Sequence, residues 1–514
     1  MTGTTSSPLP PEPGRPPASA PVRRATSAGV ILASVMGVEL VSGSLQSFLT
    51  PLFGTLAKTL DVTAAQLNWV SIANLLASAV LAPILSRMGD LYGHRRILRV
   101  NLAIILVGSL LVALARSFEV LLAGQVLQGS LSGLFPLLVG ILRNHGGEAE
   151  NRRGISLMVA AIGVGSGLGL VGSGLVAEYA DNPTSALWVP VATVAVAVLI
   201  AQFALPETTD RPGGRIDWAG GLFIGAGLVG VLLALSQGEA WGWTAGSTLG
   251  YGLGGLVLLA AFVAVELKHP EPMVNVRMFT RIPVLVISVV ALLFSFVFFS
   301  LTVPGAIFSS LPDDMVGYGL GLGALAISFA ALPAVGGMAL GAIAAPSVAK
   351  VVGDRGMLVA GSLLMAVGYG LTALAHDSLV PYLVFGAVSG LGIGLLQQGT
   401  RTIAVEAVAE DETAVGSGIN ELMITVGGSV GSAVVGAIMT ANTADGALFP
   451  KEAGFTNSWW LAAAVSVLAG VVACLYRPRP ALPVDLPAPG HGAAAPAAPA
   501  HAAGAADDAK GLLL

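Results

Sequence analysis

Charge is scarce in this chain and cysteine is nearly absent. Only 10% of its 514 residues are Asp, Glu, Lys or Arg, against about 25% in an ordinary soluble domain. A chain of this length folded in water needs several domains with polar surfaces, and the charges for those surfaces are missing. The single cysteine, Cys474, excludes an intramolecular disulfide framework and a cysteine-rich metal centre. The histidines His94, His145, His269, His376, His491 and His501 are scattered through loops and tails, which argues against a metal site. No Gly-Lys-Ser/Thr phosphate loop occurs, so ATP is not the expected energy source, and no cofactor is expected. A net charge of −5 argues against a nucleic-acid partner. Residues 1–22 hold no apolar core, so no cleavable signal peptide is expected.

What remains is apolar and small. Hydrophobic residues make up 54% of the chain, mean hydropathy is +0.82, and there are 67 glycines. These values predict an all-α integral membrane protein, because a bilayer core tolerates only helices or closed barrels and small residues let membrane helices approach closely. Segments of about 17–26 residues are long enough to span a bilayer. They lie at 28–53, 67–85, 97–115, 120–142, 155–180 and 186–205, then at 218–236 and 247–265. The remainder lie at 284–307, 320–345, 357–375, 380–405, 416–441 and 459–475. The expected organisation is a Pro-rich tail (1–27) and a six-helix bundle (28–205), then two further helices with their linkers (206–283). A second six-helix bundle (284–476) and an Ala/Pro-rich tail (477–514) complete it. Both tails are expected to be disordered.

An even number of spans puts both termini on one side. All but three of the 24 basic residues (Lys58, Arg116 and Lys451) then fall on that side, which identifies it as the cytoplasm. The stretch Met88-Gly89-Asp90-Leu91-Tyr92-Gly93-His94-Arg95-Arg96 reads as a tight, charged hinge between two spans, with glycines for the turn. A fainter counterpart, Val348-Ala349-Lys350-Val351-Val352-Gly353-Asp354-Arg355, follows the second span of the last six. Paired six-span halves are a common build of secondary transporters.

The loop at Gly89–Arg96 resembles the signature loop of the major facilitator superfamily. The wider chain resembles that superfamily's fourteen-span drug:proton antiporters. The segment 121–129 (LLAGQVLQG) is similar to their fourth-span motif. The pieces 215–220 (RIDWAG) and 241–243 (WGW) are similar to the ends of their extra seventh span. Gly416-Ser417-Gly418-Ile419-Asn420, followed by Gly427-Gly428, is similar to their thirteenth. The chain departs from the pattern at three places. Gln125 stands where the family carries arginine, Gly167 is followed by Leu168 instead of proline, and Leu45 stands where the first span usually has aspartate.

Glu39 lies near the middle of the first predicted span, with Ser42 and Gln46 on the same helix face. A carboxyl there can load and release a proton as water access changes, or it can serve as protonated glue between helices. Gln125, Gln128 and Ser132 repeat the stripe in the fourth span, and Gln397, Gln398 and Arg401 form one in the twelfth. The resemblance implies that the first, fourth, ninth and twelfth spans line a cavity. The ninth carries Phe294, Phe296, Phe298 and Phe299. Amides with aromatics suit a bulky, mostly apolar ligand, though helix packing accounts for the same residues. Glu421 and Arg401 can pair, as a structural bridge or a proton relay. The resemblance also implies that Gly89, Asp90, Gly93, Arg95 and Arg96 form a cytoplasmic gate, with Arg143 a candidate partner for Asp90. The run Gly167-Leu168-Gly169-Leu170-Val171-Gly172 fits G-x-G-x-x-G, but inside an apolar span it reads as close helix packing, not a dinucleotide site.

The expectation is therefore a monomeric, multi-pass transporter of a bacterial inner membrane, not an enzyme. It exports drug-like small molecules in exchange for protons. A proton symporter or facilitator for a specific metabolite is the alternative. No metal site is expected.

Overall fold

The computed structural model describes residues 28–477, except 53–55, 57–59, 61–63, 144–147, 180–182, 207–216, 269–276, 278–280, 312–316, 409–412 and 445–448. The tails expected at 1–27 and beyond 477 lie outside the described residues, as does the start of the 215–220 motif. The regular structure described is all helical. It comprises α1 (Ala28–Ser47), α2 (Ala64–Tyr92), α3 (His94–Ala113), α4 (Phe118–Gln128), α5 (Leu134–Arg143), α6 (Glu148–Tyr179) and α7 (Val189–Phe203). Then come α8 (Trp218–Trp241), α9 (Gly246–Glu266), α10 (Ile282–Ser300) and α11 (Thr302–Ser310). The last are α12 (Ala324–Leu374), α13 (Leu379–Glu406), α14 (Thr413–Ala441) and α15 (Glu452–Ala473).

Twelve helical stretches among the described residues are long and apolar enough to cross a membrane, and Ala219–Leu235 is a shorter apolar helix. One of the twelve, Leu325–Leu374, has 50 residues. That is about 75 Å of helix where a bilayer core takes about 30 Å. The chain breaks at Gly353, with φ 75° and ψ 165°. Gly337 and Gly341 before the break pack on Ala387 and Leu391 of α13, while Gly361 and Gly368 after it pack on Gly392 and Ser389. The two arms therefore run in opposite directions along the same helix. Gly93, with φ 99° and ψ 127°, makes the equivalent turn between α2 and α3. A side chain is strained at such φ values, so glycine is required at both turns. The expected hinge at 88–96 is thus one residue wide, because helix α2 continues through Tyr92.

Two expected spans are interrupted. Region 120–142 divides into α4, a 3-10 turn at Gly129–Gly133, and α5. The Ser132 hydroxyl there donates to the Ser78 and Gly129 carbonyls, and a Cβ on Gly129 would lie 2.8 Å from the Asn74 carbonyl oxygen. Small residues let α2 approach closely, and hydroxyls take over backbone partners. Region 284–307 divides into α10 and α11 at Leu301.

Apolar packing is organised around two centres. One joins Val35, Leu98, Leu138, Val159 and Ala197, drawn from α1, α3, α5, α6 and α7. The other joins Val290, Phe294, Phe308, Leu358, Leu396 and Trp459, drawn from α10 to α13 and α15. The groups meet along α6 against α12 and along α2 against α14. The α8/α9 pair sits on the second seam, where Ile224, Leu228, Leu232 and Phe262 pack with Ala79, Ile419 and Leu422.

Candidate functional site

Three buried charged side chains converge where the groups meet. Arg401 on α13 donates from Nε to Glu421 Oε1 at 2.6 Å and from Nη2 to Oε2 at 3.1 Å. This two-pronged pairing is the geometry in which guanidinium and carboxylate interact most strongly. The guanidinium also lies 4.4 Å from the ring centroid of Phe135 on α5, a favourable cation–π placement. Glu39 on α1 is fully buried. The charges of Arg401 and Glu421 act on it, and Ser42 on the next turn faces it. Neither Glu39 oxygen has a partner in hydrogen-bonding geometry, and Arg401 Nη1 is likewise unpartnered. The expected pairing of Arg401 with Glu421 is present. The proximity of Glu39, more than 350 residues away in the chain, is not visible in the sequence.

The other expected cavity residues are placed variously. Gln125 Nε2 donates to Gln128 Oε1 at 2.8 Å, and Gln128 Nε2 donates to Ser109 Oγ at 3.0 Å. These two amides are turned toward α3 within the first group. Gln46 is exposed, and its amide lies 3.4 Å from Ser42 Oγ. Phe294 is a wholly buried member of the second apolar centre. Phe298 is half-buried, edge-on to Phe299 at 4.9 Å. Gln397 and Gln398 are buried beside Arg401. Gln398 Nε2 donates to Thr402 Oγ1 at 2.8 Å, while the Oε1 of each glutamine is unpartnered.

The loop motif is built into the first group. Asp90 Oδ1 lies 3.2 Å from His94 Nε2. A Cβ on Gly140 would fall 2.1 Å from that imidazole, so α5 is shaped to admit it. Arg95 donates to the Ala201 and Gln202 carbonyls at 3.3 and 2.6 Å, closing the C-terminal end of α7. Arg96 is exposed. Arg143 crosses between groups, donating from Nη1 to the Val405 carbonyl at 3.2 Å. A second crossing contact is one the sequence did not mark. Arg152 on α6 pairs with Asp354 at 2.7 Å and with Glu406 at 2.7 Å. Asp354 directly follows the Gly353 turn, and Glu406 ends α13. The Ser156 hydroxyl donates to the Ala342 carbonyl one turn further in. The only legible signal was Arg152 in the Arg152-Arg153 pair, with no hint of its partners.

The glycine run of α6 serves packing, as its apolar setting implied. Cβ atoms on Gly165 and Gly169 would lie 2.0 and 2.4 Å from the Leu40 and Ser44 carbonyl oxygens of α1, while Gly167 faces Leu332 and Val335 of α12. Among the histidines, His376 departs from the scattered pattern. Its Nδ1 donates to the Thr372 carbonyl, and its Nε2 lies 2.9 Å from Glu452 Oε1 and 3.9 Å from Asp377 Oδ1. Together these three residues offer ligand atoms close enough to hold a cation.

Comparison with known proteins fits this architecture. The chain is 26% identical over 429 residues to a tetracenomycin C resistance and export protein of Streptomyces glaucescens, covering 82% of this chain and 77% of that one. It is 26% identical over 450 residues to a probable actinorhodin transporter of Streptomyces coelicolor, covering 83% and 75%. A multidrug resistance protein B homolog of Mycobacterium tuberculosis is 27% identical over 434 residues, covering 80% and 76%. In structure, the chain resembles the human organic anion transporter MFSD10, with TM-score 0.64 and 14% identity over 87% of this chain and all of that one. The relatives and the fold neighbour are transporters, not enzymes. The family model of the Major Facilitator Superfamily matches residues 35–346 and 290–507, and with its membrane-length helices this chain belongs to that superfamily as a multi-pass transporter.

Proposed function

We propose that this transporter exports bulky, largely apolar compounds across a bacterial inner membrane by proton antiport, through alternating access. The observation that carries the reading is the Glu39 carboxyl, which is wholly buried, has the Ser42 side chain beside it and no ion pair among the described residues, and lies within electrostatic reach of Arg401 and Glu421 on the opposite group. A buried carboxyl without an ion pair is costly when ionised, so its protonation responds to any movement that changes its access to water or to Arg401. The relatives named for tetracenomycin C export, actinorhodin transport and multidrug resistance support a drug-like cargo.

In this reading the chain crosses the membrane fourteen times. The Gly353 turn makes two spans of α12, and Ala219–Leu235 counts as one. Both termini and the basic loops face the cytoplasm. Helices α1–α7 and α10–α15 are the two moving bundles, α8 and α9 are the extra pair, and the protein works as a monomer. Gln397, Gln398, Arg401 and Phe298 line the passage, with Gln46 at its outer end. Gln125, Gln128 and Phe294 hold its walls from behind. The cytoplasmic latch is Arg152 with Asp354 and Glu406, joined by Arg143. Gly89, Asp90, Gly93, Arg95 and Arg96 shape the loop that carries α2 into α3.

Moving one proton down about 100 mV releases about 2.3 kcal/mol, close to fiftyfold accumulation before any pH gradient is added. The test is transport in proteoliposomes with tetracenomycin C as probe. The wild type should accumulate it when a pH gradient is imposed. Glu39→Gln should lose that accumulation while retaining probe-for-probe counterflow. Equal gradient-driven accumulation in the variant overturns the assignment. Accumulation in the direction of proton flow identifies a symporter instead.

A further inference from the structure

Next to the charged centre, Asn420 is 2% exposed, and both its amide nitrogen and its amide oxygen lack partners. It lines a pocket between α10, α13 and α14, together with Ile287, Ser288, Ala404, Val408 and Gly416. The cavity volume of the pocket is about 10 Å³, room for about one water. That is below the range of roughly 300–1,000 Å³ typical of drug-sized ligands, and two polar side chains on apolar walls are poor recognition for one.

The pocket lies at the loop-side ends of its helices. Val408 is two residues beyond the end of α13, and Gly416 is in the first turn of α14. From there, unpartnered polar atoms continue inward. Ser417 Oγ and both amide atoms of Asn420 are unpartnered, and with Glu421, whose oxygens are held by Arg401, they occupy positions i, i+3 and i+4 of α14, one face of the helix. Opposite them on α13, Ala404 is three residues from Arg401. Arg401 Nη1 and the Oε1 atoms of Gln397 and Gln398 are unpartnered within the next turn. Buried polar atoms left without protein partners are satisfied by water, and one or two orphans are ordinary. Here they run from a pocket at the loop-side end to the Arg401–Glu421 pair and Glu39.

We propose that this pocket is the mouth of a water-filled proton route between the loop-side surface and Glu39, with Asn420 holding the water at its narrowest part. The inference rests on the proton-antiport reading above. A proton leaves the Glu39 carboxyl for a water. Successive waters each accept one proton and release another, and the last releases one at the loop-side face. The carboxylate left behind faces Arg401, which shares its charge with Glu421. No other bond changes. Among the described residues, the charged groups bordering the route are Glu39, Arg401 and Glu421. Asn420 is a positioning residue for water, since an amide both donates to and accepts from it.

Two measurements test this on the full-length protein. The first is hydroxyl-radical footprinting with mass spectrometry, which needs no transport. Ile287, Val408 and Ile419 should label as water-facing residues in the wild type. Their labelling should fall severalfold in Asn420→Leu and recover in Asn420→Ser, with labelling elsewhere unchanged. Dry, unlabelled residues in the wild type overturn the proposal, as does full labelling in Asn420→Leu. The second follows proton release by a pH dye during probe transport. Asn420→Leu should slow proton-coupled transport at least tenfold and spare counterflow, and Asn420→Ser should restore coupling. Unchanged coupling in a stable Asn420→Leu protein also overturns the route. If the wild type moves no protons while the footprint is wet, the antiport reading has failed and the pocket is a hydrated site without that role.

Discussion

Arg401 and Glu421 show why two charges persist in an apolar protein. Each alone would be severely penalised in the interior, and together they neutralise each other through two hydrogen bonds. Removing one leaves the other charged and unpaired. Arg401→Met should therefore destabilise the protein by about 3–5 kcal/mol, whereas Arg401→Met combined with Glu421→Met should recover most of that loss. Thermal unfolding of the purified variants reads both effects. The double variant should still be unable to accumulate substrate, because Glu39 would have no charged partner across the interface. If the double variant is no more stable than the single one, the pair is not what holds this part of the core.

At the scale of elements, glycine sets how closely helices approach. Within α6, a methyl group on Gly165 would strike the Leu40 carbonyl oxygen at 2.0 Å, whereas one on Gly172 meets nothing within 4 Å. Gly165→Ala should cost about 1–3 kcal/mol through forced separation of α1 and α6. Gly172→Ala should be neutral or slightly stabilising, since alanine is the better helix former. Melting temperatures of the two variants, which differ only in position along one helix, give a direct comparison.

The same helices show what could be read from sequence. Apolar length located the twelve helical stretches that are long and apolar enough to cross a membrane, because the bilayer sets that length whatever the partners are. Glycine marked the turns at Gly93 and Gly353. Apolar length could not reveal that α2 continues helical to Tyr92, nor that α4 and α5 are separated by a 3-10 turn. Both depend on close contacts with neighbouring helices. Polar stripes were equally ambiguous. Gln125 and Gln128 have the same spacing as cavity-lining residues, yet their amides are satisfied by each other and by Ser109. A stripe says that a helix face avoids lipid, not what that face meets. The convergence of Glu39 with Arg401 was hidden for the same reason.

For the whole molecule, the decisive contacts are those that join the two groups on the loop side. Arg152 offers one positive charge to two carboxylates, Asp354 and Glu406, from positions 202 and 254 residues away. All three side chains are partly exposed, so salt screens the attraction, with a Debye length near 3 Å at about 1 M. An arrangement of this strength fits the latch proposed above, which opens in each cycle. Arg152→Glu replaces one cation between two anions with three anions and should drive the loop-side ends apart. Spin labels on cysteines placed at the exposed positions Arg96 and Lys350, with Cys474 changed to serine, report that distance. The wild type should give a short distribution that lengthens in part at high salt. Arg152→Glu should give a long distribution at any salt. Adding Asp354→Arg to Arg152→Glu should shorten it again, because opposite charges then face each other with their positions exchanged. An unaltered distance in Arg152→Glu would move the latch to the contacts beneath it, where Ser156 meets Ala342 and Arg143 meets Val405. The first is uncharged at both ends and the second at one, so both would respond less to salt than the Arg152 pairs.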